Sequence, residues 1–263
     1  MRCLSLLSIC LLSTFAEGAT PTTPSSRSGI PASLPAAFEP ATRPLPELPE
    51  YHIKRTTGPI VIDGKVDDIA WGAANTIELM FPWPEQTGPK QKTTVRMLYD
   101  DERLFISYVC EDTEVTAIYK NHDDPTYKDD CVEVFINPDE TQNFYYGLEM
   151  NALATLFDYF FLWPKPNLLR YDMVGVTVGA TIDGQVNNPD VVDTGWSLEV
   201  AIPFKNFSEF AQNLPPKPGD TWRANLARWD GVAPNRCMSL WCDSGLKIPG
   251  PHNPSRFGRL IFD

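Results

Sequence analysis

Along most of the chain, short runs with apolar side chains at every second position alternate with clusters of Gly, Pro, Asn, Asp and Ser. This is the pattern of strands that show one face to a core and the other to water. Eleven such runs stand out: Tyr51–Arg55, Thr76–Met80, Thr93–Tyr99, Leu104–Cys110, Cys131–Asn137, Phe144–Met150, Thr155–Leu162, Val174–Ile182, Trp196–Ile202, Thr221–Trp229 and Phe257–Phe262. In Trp196–Ile202, Trp196, Leu198, Val200 and Ile202 share one face and Ser197, Glu199 and Ala201 the other. Helical periodicity is confined to Lys65–Ala73, with Asp67 and Asp68 near its positive end, and to Phe204–Ala211. Strands without long helices between them argue against a parallel βαβ architecture. The expectation is an all-β, antiparallel β-sandwich of about ten or eleven strands with one or two short helices.

The two ends of the chain read differently. Arg2, the apolar run Cys3–Leu12 and the small residues up to Ala19 have the charged start, short hydrophobic middle and small-residue end of a secretory signal, with cleavage after Ala16, Gly18 or Ala19. The apolar run is too short to span a bilayer. Leu7-Ser8-Ile9-Cys10 only loosely resembles a bacterial lipobox, because Ile9 stands where that motif needs a small residue. Residues Thr20–Glu50 contain eight prolines and no hydrophobic periodicity, the composition of a semi-extended spacer that buries no core. The expected organisation is therefore a signal over residues 1–19, a proline-rich disordered spacer over 20–50 and one folded domain over 51–263. Such a protein is secreted, periplasmic or held at the cell surface, and the spacer would connect it to the surface or to an enzyme.

Charge narrows the choice of partner. The formal net charge of −12 lies almost entirely on residues 51–263, so the field of the domain repels polyanions and argues against nucleic acid. Removing the signal removes Cys3 and Cys10, leaving Cys110, Cys131, Cys237 and Cys242. Four cysteines in an exported chain pair in three ways, of which the local pairing joins Cys110 to Cys131 and Cys237 to Cys242. A zinc site is the alternative, although no CxxC pair or His cluster accompanies them.

Five segments together carry a family signal. They are Ile62-Asp63-Gly64 through Asp67-Asp68 to Trp71; Val95–Ile106 with its Tyr99-Asp100-Asp101-Glu102 loop; Asp130–Ile136; Gly195–Pro203; and His252-Asn253-Pro254-Ser255-Arg256-Phe257-Gly258. In this order and spacing the chain resembles carbohydrate-binding module family 9 and the wider DOMON-like β-sandwich group, from about Ile60 to Asp263. Most of these residues read as scaffold: Asp63-Gly64 is turn chemistry, Trp71 plugs one end of the sandwich, and Trp196 faces the core. Glu133 differs, because it shares a strand face with Cys131 and Phe135, and a carboxylate there needs a partner or a polar cleft. The residues themselves leave open an ion pair with an arginine such as Arg228. The resemblance implies instead an acceptor for sugar hydroxyls.

The resemblance also implies a sugar held between two aromatic side chains. It puts Tyr127 at the first of the family's tryptophan positions, His252 at the second, and Glu149, two residues before Asn151, where the family carries an arginine. Flat rings for the C–H faces of a pyranose and planar polar groups for its hydroxyls define such a site. Trp83 and Trp163, each beside prolines in a loop, and Trp229 and Trp241 are further platforms, and Asn225, Arg228 and Arg256 are forked donors. No cofactor is required. Calcium is a candidate ion at Asp123-Asp124, Asp129-Asp130 or Asp139-Glu140, none of which shows an EF-hand pattern. A metal role for His252 is disfavoured because His52 and His122 share no ligand spacing with it.

Three other functional classes compete with sugar binding, the least specific being a purely structural surface domain that binds another protein. A hydrolase would use Glu133 and Glu149 as a carboxylate pair, but no nucleophile elbow, P-loop, HExxH or GxGxxG motif is present. A haem-binding electron-transfer domain would draw on Met97, Met150 or Met173, although Met97 and Met150 lie in strand patterns that place them in a core.

Overall fold

The computed structural model describes residues 38–163 and 167–263. The signal, the first part of the spacer and Pro164–Pro166 lie outside the described residues. Thirteen strands form in chain order: β1 (Glu50–Arg55), β2 (Ile77–Glu78), β3 (Thr93–Tyr99), β4 (Arg103–Glu111), β5 (Cys131–Asn137), β6 (Phe144–Asn151), β7 (Leu156–Leu162), β8 (Asn167–Arg170), β9 (Thr177–Asp183), β10 (Gly195–Pro203), β11 (Thr221–Asp230), β12 (Cys237–Leu240) and β13 (Gly258–Phe262). All eleven expected strands are present. The two additional ones, β8 and β12, are four residues each and carry too little alternation to be read from sequence.

The strands follow the order β8-β7-β6-β5-β11-β13-β1-β3-β4-β10-β9, with β12 beside β11 and β2 beside β3. Pairing is antiparallel except around β1, whose first residues run parallel to β13 and whose last two run parallel to β3. β1 is thus the hinge at which one curled sheet becomes the two layers of a sandwich, the first made of β5–β8 and β11–β13 and the second of β2–β4, β9 and β10. Their facing sides bury one large core that includes Val132, Val134, Ile136, Leu148, Leu198, Val200, Trp222 and Leu226. Met97, Met150 and Met173 also pack there, as the strand pattern suggests for the first two.

Both expected helices shorten to 3₁₀ turns, Ile69–Ala73 and Phe204–Phe207. Trp71 covers the outer face of the second layer rather than an end of the sandwich. It packs with Leu98, Phe105 and Ala201, and its indole donates to Glu199 Oε1 at 2.8 Å. The other oxygen of Glu199 accepts from the Gly64 and Asp63 amides, so this buried carboxylate holds the Asp63-Gly64 turn in place.

The end of the segment read as spacer is part of the folded domain. The Ala41 amide donates to Gly245 O at 2.7 Å, Pro40 bridges Leu246, and the Arg43 guanidinium forks onto both oxygens of Asp243. Phe38 packs against Trp163, with ring centroids 5.3 Å apart. A proline-rich segment lies along a surface as readily as in water, and composition does not separate the two.

The expected disulfides are absent: Cys110, Cys131, Cys237 and Cys242 are all free and buried. Cys110 belongs to β4 in one layer and Cys131 to β5 in the other, and the Cys242 thiol instead accepts from the Gly258 amide at 3.1 Å. Burial raises the thiols of Cys110 and Cys242 to about 12, which keeps them protonated and unreactive. Among the described residues no helix is long and apolar enough to cross a membrane.

Candidate functional site

The outer face of the first layer carries a second apolar cluster, built from Trp83, Phe135, Tyr145, Tyr159, Phe161, Met238 and Phe257. Strand alternation creates it. On β5, Val132, Val134 and Ile136 face the inner core while Cys131, Glu133 and Phe135 face outward, and β6 and β7 repeat the pattern with Tyr145, Glu149, Phe157, Tyr159 and Phe161. Chain segments 38–49 and 246–252 fold over this face and leave a cleft of about 340 Å³. Its walls and floor include Tyr127, Glu133, Glu149, Phe157, Tyr159, Trp229 and His252.

The floor is a pair of carboxylates. Glu133 and Glu149 stand directly opposite each other across β5 and β6, where side chains are close neighbours. Both are buried, at 1% and 4% exposure. Glu149 Oε1 accepts from the Tyr159 hydroxyl at 2.7 Å, whereas Oε2 of Glu149 and Oε2 of Glu133 have no hydrogen-bond partner in the protein. Burial, then repulsion from Glu149, raises the Glu133 carboxyl well above the usual carboxylate range, with Arg236 pulling the other way. Burial also pushes Glu149 up to about 7, against the Tyr159 hydrogen bond and Arg236. Two like charges this close do not both ionise readily, so near neutral pH the pair retains a proton and offers both a donor and acceptors. Gly147 leaves room for the Tyr159 ring, whose atoms come within 2.5–2.9 Å of where a Cβ would stand.

The rings form the walls. Tyr127 is exposed, packs on Phe157 at 6.1 Å between centroids, and belongs to a 3₁₀ turn (Thr126–Lys128) anchored by the Thr126 hydroxyl donating to Glu149 O. Trp229 is half-buried, with the Arg236 guanidinium stacked 4.0 Å over its ring. The same guanidinium donates to Tyr127 O, tying one wall to the other. His252 stacks at 5.4 Å on Phe161, and its Nδ1 lies 2.8 Å from the Tyr145 hydroxyl. Burial pushes the His252 pKa down to about 4. The ring is therefore neutral, with one ring nitrogen carrying the proton and the other free to accept a hydrogen bond.

Of the sequence-derived site residues, the structure brings Tyr127, Glu133, Glu149, Trp229 and His252 together. Arg228 lies on the other face of β11: because Ala227 is the residue opposite Glu133, alternation turns Arg228 inward. Its side chain is fully buried, pairs with Asp112 at 2.9 Å and Asp230 at 3.1 Å, and donates to Thr93 and the Glu111 carbonyl. It therefore neither pairs with Glu133 nor reaches the cleft. Asn225 faces the cleft side of the sheet but is fully buried, with its amide engaged by the backbone of Cys242 at 3.0 and 2.9 Å. Trp83 is a core residue at 1% exposure whose indole donates to Leu246 O, and Trp241 packs on Tyr51. Trp163 supports Phe38, which borders the cleft, and Arg256 pins Pro46 and Asp243.

Sequence reasoning did not select Phe157, Tyr159 or Arg236. The two rings were legible as alternate aromatics in Leu156–Leu162, but nothing local ties Arg236 to Trp229. Most of the acidic calcium candidates are engaged by loop backbone. Asp129 accepts from the Ile118 and Tyr119 amides, Asp130 from Thr116 and Gly231, and Asp139 from Thr141. Burial and the neighbouring Asp112 raise Asp130 to about 8.

A curled β-sandwich whose outer face carries aromatic rings over polar groups defines a ligand-binding β-module rather than an assembly built around a helical or nucleotide-binding core. Within that class the chain belongs to the carbohydrate family 9 binding domain-like family, whose profile matches residues 62–262. Among solved structures, the chain is similar to a proposed carbohydrate-binding protein from Bacteroides uniformis, at 18% identity and a TM-score of 0.69, covering 82% of this chain and 100% of that one. It is also similar to a family 9 carbohydrate-binding module from Caldicellulosiruptor kristjanssonii. In complex with cellotriose that module matches at 15% identity and a TM-score of 0.57, over 82% and 94% of the two chains. In complex with glucose it matches at 16% identity and 0.54, over 81% and 95%. No curated protein matches the chain.

Proposed function

We propose that this protein binds carbohydrate non-covalently in the cleft over Glu133 and Glu149, without catalysing a reaction. The observation that carries the reading is the pair of buried carboxylate oxygens left without protein partners beneath aromatic walls. A buried acceptor without a partner costs roughly 1–3 kcal/mol, which a ligand hydroxyl recovers. Tyr127, Phe157 and Trp229 offer ring faces to a pyranose, while Glu133 and Glu149 take its hydroxyls from below. Membership of the carbohydrate-binding family supports the same reading. Binding is favoured over hydrolysis because the two carboxylates stand side by side on one floor and meet a ligand from the same side. A glycosidase pair must flank the scissile bond.

The exported location and a role beside carbohydrate-degrading enzymes are further parts of the proposal, resting on the signal-like N-terminus. A glycan-array screen of wild type beside Tyr127→Ala and Trp229→Ala tests the site. The reading requires at least one glycan bound by wild type and loss of about tenfold or more in affinity in each variant. Equal affinity in all three removes the cleft as the site.

A further inference from the structure

Behind the aromatic wall, on the opposite face of β7 from Phe157 and Tyr159, four side chains from three segments converge. His122 Nε2 lies 3.3 Å from Asp158 Oδ1 and 3.5 Å from Oδ1 of both Asp123 and Asp172. The four ligand atoms all lie within 4.8 Å of one another. Asp158 is fully buried, and its Oδ2 accepts from the Met173 amide. Its Oδ1, however, has no hydrogen-bond partner although it is aimed at the cluster, and Asp123 Oδ1 is likewise unpartnered.

The contacts with His122 are therefore close without being hydrogen bonds, which is the arrangement left when donor atoms surround a common point. Around a tetrahedral zinc-class ion with bonds of about 2.0–2.2 Å, neighbouring ligand atoms stand roughly 3.3–3.6 Å apart. The three separations from His122 fall in that range, and those among the carboxylate oxygens stay within 4.8 Å. Charge agrees as well. Three carboxylates face one permanently cationic side chain, Arg170, which pairs with the other oxygen of Asp123 and stands 3.9 Å from Asp172 Oδ1, and a divalent ion balances the remainder. The imidazole donor selects a transition ion over calcium or magnesium, which take oxygen ligands and more of them.

We propose that His122, Asp123, Asp158 and Asp172 form a binding site for a divalent transition ion of the zinc class. The ion ties the loop that leads to Tyr127 onto β7, to which the Asp123 amide already bonds through Leu156 O at 3.0 Å. One wall of the cleft is thereby fixed from behind. The site stands on its own residues and does not depend on what the cleft binds.

Titrating Co²⁺ into untagged, chelator-treated full-length protein tests the site by absorption spectroscopy. The expected result is a visible band of tetrahedral intensity that Zn²⁺ abolishes and excess Ca²⁺ does not. His122→Ala and Asp172→Asn alter exposed or half-exposed side chains, so they retain the fold by circular dichroism; each is expected to weaken Co²⁺ binding by at least about tenfold. No tetrahedral band in wild type, a band displaced equally by Ca²⁺, or a band unchanged in both variants overturns the proposal.

Discussion

Replacing Glu149 with glutamine isolates the electrostatic cost stored in the cleft floor. Burial raises this carboxyl from its ordinary 4.5 to about 7 in the folded protein. An acid with a raised folded pKa favours the folded state at low pH and loses that advantage as pH rises through the folded value. Between about 4.5 and 7 the unfolded chain ionises while the folded carboxyl holds its proton; above that window both are ionised, and the folded charge sits in a site that disfavours it. At about 1.4 kcal/mol per pKa unit, the cost to the native state is about 1 kcal/mol at pH 5 and about 3 kcal/mol at pH 8. In Glu149→Gln the amide oxygen still accepts from Tyr159 but the group cannot ionise. The stability of the variant relative to wild type is therefore expected to rise by about 2–3 kcal/mol from pH 5 to pH 8. Urea unfolding of both proteins across that range measures the difference. Glu133 loses the repulsion of Glu149 in the variant, which acts in the same direction, while Asp130, raised to about 8, Asp230, raised to about 6, and His252, lowered to about 4, titrate in both proteins and largely cancel. A stability difference that stays constant with pH refutes the account of a strained, proton-sharing pair.

Other expectations follow from the same geometry. Arg228→Met strands Asp112 and Asp230 without their cation and is expected to lower unfolding stability by about 3–5 kcal/mol; glycan affinity of the folded fraction stays unchanged, whereas a selective loss of binding would return Arg228 to the site. Gly147→Ala drives a methyl into the Tyr159 ring and is expected to cut glycan affinity at least about tenfold through the displaced Glu149 partner, at a stability cost of about 1–3 kcal/mol; unchanged binding would show that Tyr159 does not set the floor. Alkylation of denatured, unreduced protein is expected to label Cys110, Cys131, Cys237 and Cys242 in peptide mass spectra, and any disulfide-linked pair among them contradicts the buried free thiols.

Much of the fold was legible because alternation is local. Thr93–Tyr99 and Cys131–Asn137 form strands with the boundaries that their patterns imply. The helical readings failed where a few apolar residues at helical spacing sit in loops pinned by tertiary contacts, as at Trp71 and Glu199. For the site, the oddity of Glu133 on an apolar strand face was visible, and Tyr127 and His252 join it. Its partnership with Arg228 could not survive strand register: Trp222, Ala224 and Leu226 set an inward face that Arg228 shares, and one residue of offset puts it on the opposite side of the sheet. Trp83 misled because flanking prolines suggest an exposed loop, whereas residues 38–46 fold over it. Arg236 and the His122 cluster depend on loops meeting in space, and no spacing in the chain announces them.

Hydrogen–deuterium exchange with and without a glycan that wild type binds is the most direct measurement of whether the cleft holds carbohydrate. Slower exchange on binding is expected in the backbone around Thr126–Glu133, Gly147–Tyr159, Trp229–Arg236 and Pro249–His252, with the outer face of β9 and β10 unchanged. Protection confined to that second layer, or none anywhere at saturation, would contradict the assignment of the site.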